Sequence, residues 1–223
     1  MDARIQRDIV VIGASAGGVP ALGALLARLP AQLPATLLIV MHISPYGPSA
    51  LHTILARTTN LRVVAATDNA PLAKGTVFVA TADRHLMLTN EGVRITRGPK
   101  ECRARPAVDV LFRSAAVAYG ERVIGVILTG ALDDGTAGLW AVKDHGGLAF
   151  VQDPLTADHP SMPESAIAHV EVDFVGGLDA LAGKIVSAVV TPAGSPARGV
   201  SARTYAAIEN RISETGDGGR RVS

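Results

Sequence analysis

The first third of the chain alternates short apolar runs with segments in which leucines recur at helical spacing. The run DIVVIG at residues 8–13 has the continuous apolar character of a parallel strand that is covered on both faces. After Pro20, leucines recur every three or four residues, which predicts a helix that ends near Pro30. A second apolar run, ATLLIVMH, is followed by a loop with two prolines and by a helix around SALHTILART. This strand–helix order is typical of a parallel α/β sheet.

The middle of the chain follows a different pattern, in which turn residues separate four short apolar runs. They predict short strands that include an antiparallel hairpin at the edge of the sheet. The runs are LRVVAA, GTVFVA, HLMLTN and VRITRG. The strand–helix alternation resumes at Pro106. Its predicted elements are the helices PAVDVLFRSAAVAY, GTAGLWAVKDHGG, PESAIAHV and GLDALAGKIVSAVV, and the strands RVIGVILTG, LAFVQD and DFVGG.

These patterns predict one α/β domain over residues 1–190, with three α/β/α layers and a mostly parallel, Rossmann-like sheet. After Val190 the composition changes to Pro, Gly and Ser, which predicts a linker and a flexible C-terminal tail over residues 191–223. Within that tail, Tyr205, Ile208 and Ile212 have the spacing to line one face of a short helix.

Composition narrows the class of protein. Of the 223 residues 48% are hydrophobic and 18% charged, which suits a folded core, and the net charge of +1 gives no general attraction to nucleic acid. No run approaches membrane-spanning length, and the N-terminus lacks the apolar core of a signal peptide. We therefore expect a soluble, cytoplasmic protein without nucleic-acid binding or membrane insertion. The single cysteine, Cys102, excludes an intrachain disulfide and a zinc site built from cysteines.

The turn after the first strand, GASAG, has the G-x-S-x-G pattern that lifts a serine oxygen clear of a sheet. A glycine-rich corner or a phosphate loop is the alternative, because helix N-termini bind anions readily. However, no lysine follows the glycines, and the second strand ends in Met41 and His42 rather than in an acid that would bind a ribose. These features favour Ser15 as a nucleophile.

A nucleophilic serine needs a base, and the base needs an acid that holds its tautomer. His42 alone among the six histidines follows the parallel strand after that of the serine, where α/β sheets gather their functional groups. A structural histidine is the alternative for that position. The sequence pattern alone does not decide which of three aspartates at strand ends is the acid. The three are Asp133, Asp134 and Asp153. Asp109 is a poor candidate because it lies inside a predicted helix.

Five motifs in this order resemble the catalytic domain of the chemotaxis protein-glutamate methylesterases, the CheB type, over roughly residues 8–190. The motifs are IGASAGG, MHISP, RPAVDVLFRSAA, LTGALDDGTAGL and QDPLTADHPSMPESAI. The resemblance implies an α/β domain with a Ser-His-Asp triad that needs no metal or cofactor. It also implies removal of methyl groups from glutamates on the cytoplasmic helices of methyl-accepting chemoreceptors, with release of methanol, and in some members deamidation of receptor glutamines.

Position by position, the resemblance assigns the nucleophile to Ser15, the base to His42 and the acid to Asp134. Backbone N–H groups near Ala16 and Gly17 then bind the oxyanion, and Ala131 borders the substrate pocket. The chain departs from the family at two places. Many relatives carry threonine at position 16, where this chain has Ala16. Relatives also commonly read TGMG before the acid, where this chain has Ala131 and Leu132 in place of the last two residues. A leucine at position 132 requires a backbone without positive φ, or strain.

The departure at residues 131 and 132 motivates an alternative, a catalytically impaired module that binds receptors without hydrolysis. Another alternative is an esterase or deamidase for a different substrate. The best-known members of the family carry an N-terminal receiver domain that blocks the site. This chain starts directly at the catalytic strand, so we expect an open site unless a separate regulatory protein controls it.

Overall fold

The computed structural model describes residues 6–42 and 50–192. One sheet has seven parallel strands: β1 (Ile9–Ala14), β2 (Thr36–Met41), β3 (Arg62–Ala65), β4 (Thr76–Val79), β7 (Val123–Ile127), β8 (Leu148–Gln152) and β9 (Phe174–Gly176). Two further strands, β5 (His85–Thr89) and β6 (Gly92–Thr96), form an antiparallel hairpin. The helices are α1 (Gly18–Ala27), α2 (Leu51–Ala56), α3 (Val108–Tyr119), α4 (Thr136–Asp144), α5 (Ser161–His169) and α6 (Leu178–Val190).

The strand order of the large sheet is β3-β4-β2-β1-β7-β8-β9, and helices cover both of its faces. Alternate residues of β1 show the two layers. Val10 and Ile12 pack with α1, α2 and α6, whereas Ile9 and Val11 pack with α3, α4 and α5. This double coverage explains why the strands are continuous apolar runs. The predicted mostly parallel α/β/α architecture is confirmed, and none of the described helices has the length and hydropathy to cross a bilayer.

The hairpin of β5 and β6 is also confirmed as antiparallel, but it forms a two-stranded sheet of its own rather than the edge of the large sheet. Packing explains its place. Leu86 and Leu88 of β5 join the core layer of α3, while Met87 on the other face packs with Ala107 and Val110 at the start of that helix. The hairpin therefore packs over α3, and this packing buries both faces of β5.

Two sequence predictions fall outside the described residues. One is the loop with Pro45 and Pro48, and the other is most of the linker and tail over residues 191–223, including the helical face with Tyr205. The division into a domain over residues 1–190 and a tail therefore stays a prediction.

We predict that Gly13→Ala lowers the free energy of unfolding by roughly 1–3 kcal/mol, the usual cost of overpacking a core. A Cβ at position 13 would lie 2.3 Å from Cγ1 of Val108, which is fully buried at the start of α3. Gly183→Ala in α6 is the matched control, because its Cβ would meet nothing within 4 Å and alanine raises helix propensity by up to about 1 kcal/mol. Urea denaturation measures both, and a Gly13→Ala variant as stable as Gly183→Ala would contradict the prediction.

Candidate active site

Three side chains lie at the carboxyl edge of the large sheet, and each follows one of three adjacent strands. Ser15 comes directly after β1, His42 comes directly after β2, and Asp134 lies in the loop between β7 and α4. Strand β1 pairs in parallel with β2 on one side and β7 on the other, so the carboxyl ends of these strands lie side by side. The chain changes its direction across the sheet between β1 and β7, and open α/β sheets bind their ligands at such switch points.

The side chains of these three residues form one hydrogen-bonded row. Oγ of Ser15 lies 3.0 Å from Nδ1 of His42, and Nε2 of His42 lies 2.6 Å from Oδ2 of Asp134. Because a carboxylate only accepts, Nε2 carries the proton and Nδ1 presents a lone pair to the Ser15 hydroxyl. Exposure rises from 1% for the Asp134 side chain to 25% for that of His42. This row of a hydroxyl, an imidazole and a buried carboxylate can perform acyl transfer.

The other two aspartates that the sequence left open lie in different surroundings. Asp133 is exposed, and its backbone carbonyl accepts the N–H of Thr136 at the start of α4. The Asp153 carboxylate accepts the N–H of Leu155 and caps the short 3-10 turn that follows β8. The contact to His42 is made by Asp134.

The first turn of α3 holds the Asp134 carboxylate. Oδ2 accepts the N–H of Val108 at 2.7 Å, and Oδ1 accepts the N–H of Asp109 at 3.0 Å. The free amides at a helix N-terminus carry partial positive charge, which stabilises a buried carboxylate. The motif RPAVDVLFRSAA therefore reaches the site through its backbone N–H groups.

Asp109 makes the reciprocal contact to the start of α4. Its Oδ1 accepts the N–H of Gly135 at 3.0 Å and that of Gly138 at 2.6 Å. Asp134 thus caps the helix that carries Asp109, and Asp109 caps the helix that follows Asp134. A first-turn aspartate is expected to stabilise its own helix, so its position in α3 did not indicate that Asp109 would cap α4.

Burial, together with the nearby Asp134 carboxylate, raises the pKa of the Asp109 carboxyl to about 7, although the N–H of Gly138 and the charge of Arg113 oppose the rise. Sγ of Cys102 lies 3.7 Å from Oδ2 of Asp109. Burial and the neighbouring carboxylates raise the pKa of the Cys102 thiol to about 12. The thiol therefore stays protonated near neutral pH, and it is a poor nucleophile there.

Cys102, Asp109 and Asp134 are the described residues whose ligand atoms come close enough to hold a metal ion, all within 4.8 Å of one another. A metal ion would have to compete with the backbone N–H groups that both carboxylates already accept. It would also have to deprotonate a thiol of raised pKa. The chemistry of this donor set therefore does not favour a metal site.

The turn after β1 leaves backbone N–H groups beside Ser15. The N–H of Ser15 itself donates to the carbonyl of Thr129 at 3.0 Å. Within residues 6–42 and 50–192, no acceptor takes the N–H of Ala16, Gly17 or Ala131. Unpaired N–H groups close to a nucleophile can stabilise the oxyanion of an acyl-transfer reaction.

Gly130 allows the loop after β7 to approach the serine. A Cβ at this position would lie 2.9 Å from Cβ of Ser15 and 2.1 Å from Sδ of Met162. The N–H of Gly130 donates to the carbonyl of His159, and its carbonyl accepts the N–H of Met162. The loop after β7 and the start of α5 are therefore packed together against Ser15, and any larger side chain at position 130 would separate them.

Leu132 has the strained backbone, one of the two conformations that the sequence allowed for this position. Its φ is +68°, and its side chain is 72% exposed. The N–H of Leu132 donates to Oγ of Ser161 at 3.1 Å, which fixes the loop in this conformation. A β-carbon in the left-handed region costs roughly 1–2 kcal/mol.

Comparison with protein families matches residues 10–185 to the CheB methylesterase family. A relative from Leptospira interrogans is 39% identical over 176 residues, which cover 78% of this chain and 91% of the relative. A relative from Methanosarcina mazei, named protein-glutamate methylesterase/protein-glutamine glutaminase 2, is 38% identical over 191 residues. That match covers 82% of this chain and 52% of the relative, so the chain spans about half of the Methanosarcina protein.

A solved structure has the same fold. The crystal structure of the CheB methylesterase catalytic domain of Thermotoga maritima matches with a TM-score of 0.77 and 34% sequence identity. The match covers 82% of this chain and 99% of that structure.

We predict that Leu132→Gly raises the free energy of unfolding by about 0.5–1 kcal/mol, because glycine adopts positive φ without strain. The largely exposed leucine loses little burial in this change. Leu132→Ala is the control, since it removes the same side chain but keeps the β-carbon and hence the strain. Thermal or urea denaturation compares the two, and a Leu132→Gly variant less stable than Leu132→Ala would contradict the strain.

We predict that the stability advantage of Asp109→Asn over the native chain increases as the pH rises from 4 to 7. The Asp109 carboxyl ionises near pH 4 in the unfolded chain and at about 7 in the folded one, so between these values the unfolded state binds fewer protons. Native stability therefore falls over this range, by an amount on the order of 1–4 kcal/mol, whereas the asparagine has no such titration. Urea denaturation of both proteins between pH 4 and 8 measures the difference, which must be flat if the carboxyl titrates normally.

Proposed function

Because this chain belongs to the CheB methylesterase family, we propose that it hydrolyses γ-methyl esters of glutamate side chains on chemoreceptor helices and releases methanol. The observation that carries the proposal is the row of Ser15, His42 and Asp134 at the switch point of the sheet. CheB methylesterases are carboxylic ester hydrolases. The same site serves hydrolysis of receptor glutamines, the second activity in the name of the Methanosarcina relative.

The first half of the reaction acylates Ser15. Nδ1 of His42 takes the hydroxyl proton while Oγ of Ser15 attacks the ester carbonyl, a step supported by their separation of 3.0 Å. Asp134 keeps the other ring proton on Nε2 and stabilises the imidazolium that forms, without taking the proton itself. The imidazolium then protonates the leaving methoxide oxygen, and methanol departs from a glutamyl-enzyme ester.

The oxyanion of each tetrahedral intermediate needs donors that are free before the substrate arrives. The N–H groups of Ala16, Gly17 and Ala131 meet this condition among the described residues. Ala16 lacks the hydroxyl of a threonine but keeps its backbone N–H, so this departure from the family spares the donor. Preorganised donors of this kind contribute roughly 3–4 kcal/mol to transition-state stabilisation.

The second half of the reaction frees the enzyme. A water molecule takes the position of the departed methanol, loses a proton to Nδ1 of His42, and attacks the glutamyl ester. Collapse of the intermediate returns the proton to Oγ of Ser15 and releases a glutamate side chain. With a glutamine substrate, ammonia leaves in place of methanol, and the remaining steps are the same.

The intact row favours an enzyme over a module that only binds receptors. Leu132 motivated that alternative, and its positive φ affects the backbone of the loop before Asp134. The contacts of His42 to Ser15 and Asp134 nevertheless have hydrogen-bond lengths. A methylated receptor helix is the proposed substrate, and a separate regulatory protein is the proposed source of control.

Ser15→Ala tests the function. We expect it to lower methanol release from a methylated chemoreceptor by at least about 10³-fold, as loss of a triad nucleophile does. Ser187→Ala is the control, since Ser187 is an exposed serine on α6, which packs on the face of the sheet opposite α3 and α4. Methanol release by Ser15→Ala at the native rate would refute the assignment of Ser15.

The same assay separates the candidate substrates. Methanol from receptor glutamyl esters and ammonia from receptor glutamines are followed in parallel, and a serine-directed probe reports on the reactivity of Ser15. Labelling of Ser15 without either product would indicate an esterase or deamidase for another substrate. Receptor binding without labelling and without product would indicate the binding module.

A further inference from the structure

We propose that Asp109 is a positioning residue for the acid of the triad, and that its Oδ1 holds Asp134 in line with His42 by anchoring the start of α4. The inference rests on the proposed function for its kinetic consequences, and on the geometry alone for its structural ones. Asp109 lies in α3, in a position that the assignment of the triad leaves without a role.

The anchor acts on the residues directly after the acid. Gly135 is the next residue in the chain after Asp134, and its N–H donates to Oδ1 of Asp109 at 3.0 Å. The N–H of Gly138, within the first turn of α4, donates to the same oxygen at 2.6 Å. One oxygen atom of Asp109 therefore fixes both the backbone next to Asp134 and the first turn of α4.

The contact in the other direction makes the arrangement rigid. The backbone N–H of Asp109 donates to Oδ1 of Asp134, and the N–H of Val108 donates to its Oδ2. The same Oδ2 lies 2.6 Å from Nε2 of His42. If α4 moved relative to α3, the Asp134 carboxylate would leave either the α3 amides or the imidazole. Misplacement of a catalytic group by about 1 Å can lower a rate by about 10²-fold.

Several charged or titratable groups lie in the cluster that includes the Asp109 carboxyl. Asp134 and Arg113 act on this carboxyl directly, and the Cys102 thiol contacts it. Asp133 acts in turn on Cys102, and Glu101 and Asp134 act on His85 of β5. His85 donates from Nε2 to the carbonyl of Pro99, and burial lowers its pKa, which favours the neutral form. Arg113 binds Glu101. Because burial and Asp134 raise the pKa of the Asp109 carboxyl to about 7, its hydrogen bonds to Gly135 and Gly138, rather than a full negative charge, carry the positioning role.

Asp109→Ala and Asp109→Asn separate positioning from a general effect on the fold. The alanine removes the anchor, and we expect kcat to fall about 100-fold while KM changes less than about threefold. The asparagine keeps an Oδ1 acceptor, and we expect it to recover at least about tenfold of that loss. Asp179→Ala is the control, an exposed first-turn aspartate of α6 that pairs with Arg28.

An NMR measurement tests the inference without any turnover. We expect the proton on Nε2 of His42, held by the Asp134 carboxylate at 2.6 Å, to give a downfield ¹H signal in the native chain. We expect Asp109→Asn to keep this signal, and both Asp109→Ala and Asp134→Ala to lose it. If the native chain releases no methanol but the signals behave in this way, the proposed function fails and the positioning role stands.

Three outcomes would overturn the positioning role. They are a kcat of Asp109→Ala within threefold of the native value, an asparagine variant as impaired as the alanine, and an unchanged Nε2–H signal in Asp109→Ala. Should Asp109→Ala fail to fold, Asp109→Asn decides alone. Loss of the downfield signal in Asp109→Asn would then overturn the role.

Discussion

The exchange of hydrogen bonds between two helix N-termini and two buried carboxylates is the interaction on which the site depends. Removing a carboxylate from water costs several kcal/mol, and charge-assisted hydrogen bonds contribute about 1.5–3 kcal/mol each. Asp134 accepts two N–H groups of α3, and Asp109 accepts two of α4. Since each acid needs the helix of the other, neither helix can shift without leaving a buried carboxylate unsatisfied. The relative position of α3 and α4 is therefore determined by the same groups that align the proposed catalytic acid.

The parallel sheet supplies the rest of the geometry. Ser15 and His42 follow neighbouring strands that are in register, and the N–H of His42 donates to the carbonyl of Ala14 as if β2 continued by one residue. Asp134 is 92 positions from His42 in the chain, yet it follows the strand on the other side of β1. The adjacent ends of these three strands thus bring residues together that are distant in the chain. Apolar layers on both faces of the sheet keep those strand ends in place.

Much of this arrangement is predictable from the residues, because the decisive signals are local. Continuous apolar runs predicted the buried strands, and the position of His42 at a strand end predicted its place beside Ser15. The choice of Asp134 over Asp133 is different, because both precede α4 and only the packing of α3 decides which carboxylate meets backbone N–H groups. Asp109 was passed over for a related reason. Its partners Gly135 and Gly138 lie at least 26 positions away, and they bind through backbone atoms that carry no sequence signal.

Locally unfavourable features gather around the same edge of the sheet. Leu132 has positive φ, and so do Cys102 and Arg103 in the turn whose thiol approaches Asp109. The Asp109 carboxyl itself has a pKa raised by burial. Such conformations persist only where the surrounding structure over-determines them, and they concentrate at functional sites. Here the core aligns the proposed acid and base, together with N–H groups that have no acceptor among residues 6–42 and 50–192, so the proposed reaction needs little reorganisation. The backbone strain at Leu132, Cys102 and Arg103 and the burial of the Asp109 carboxyl thus accompany the alignment of the proposed site.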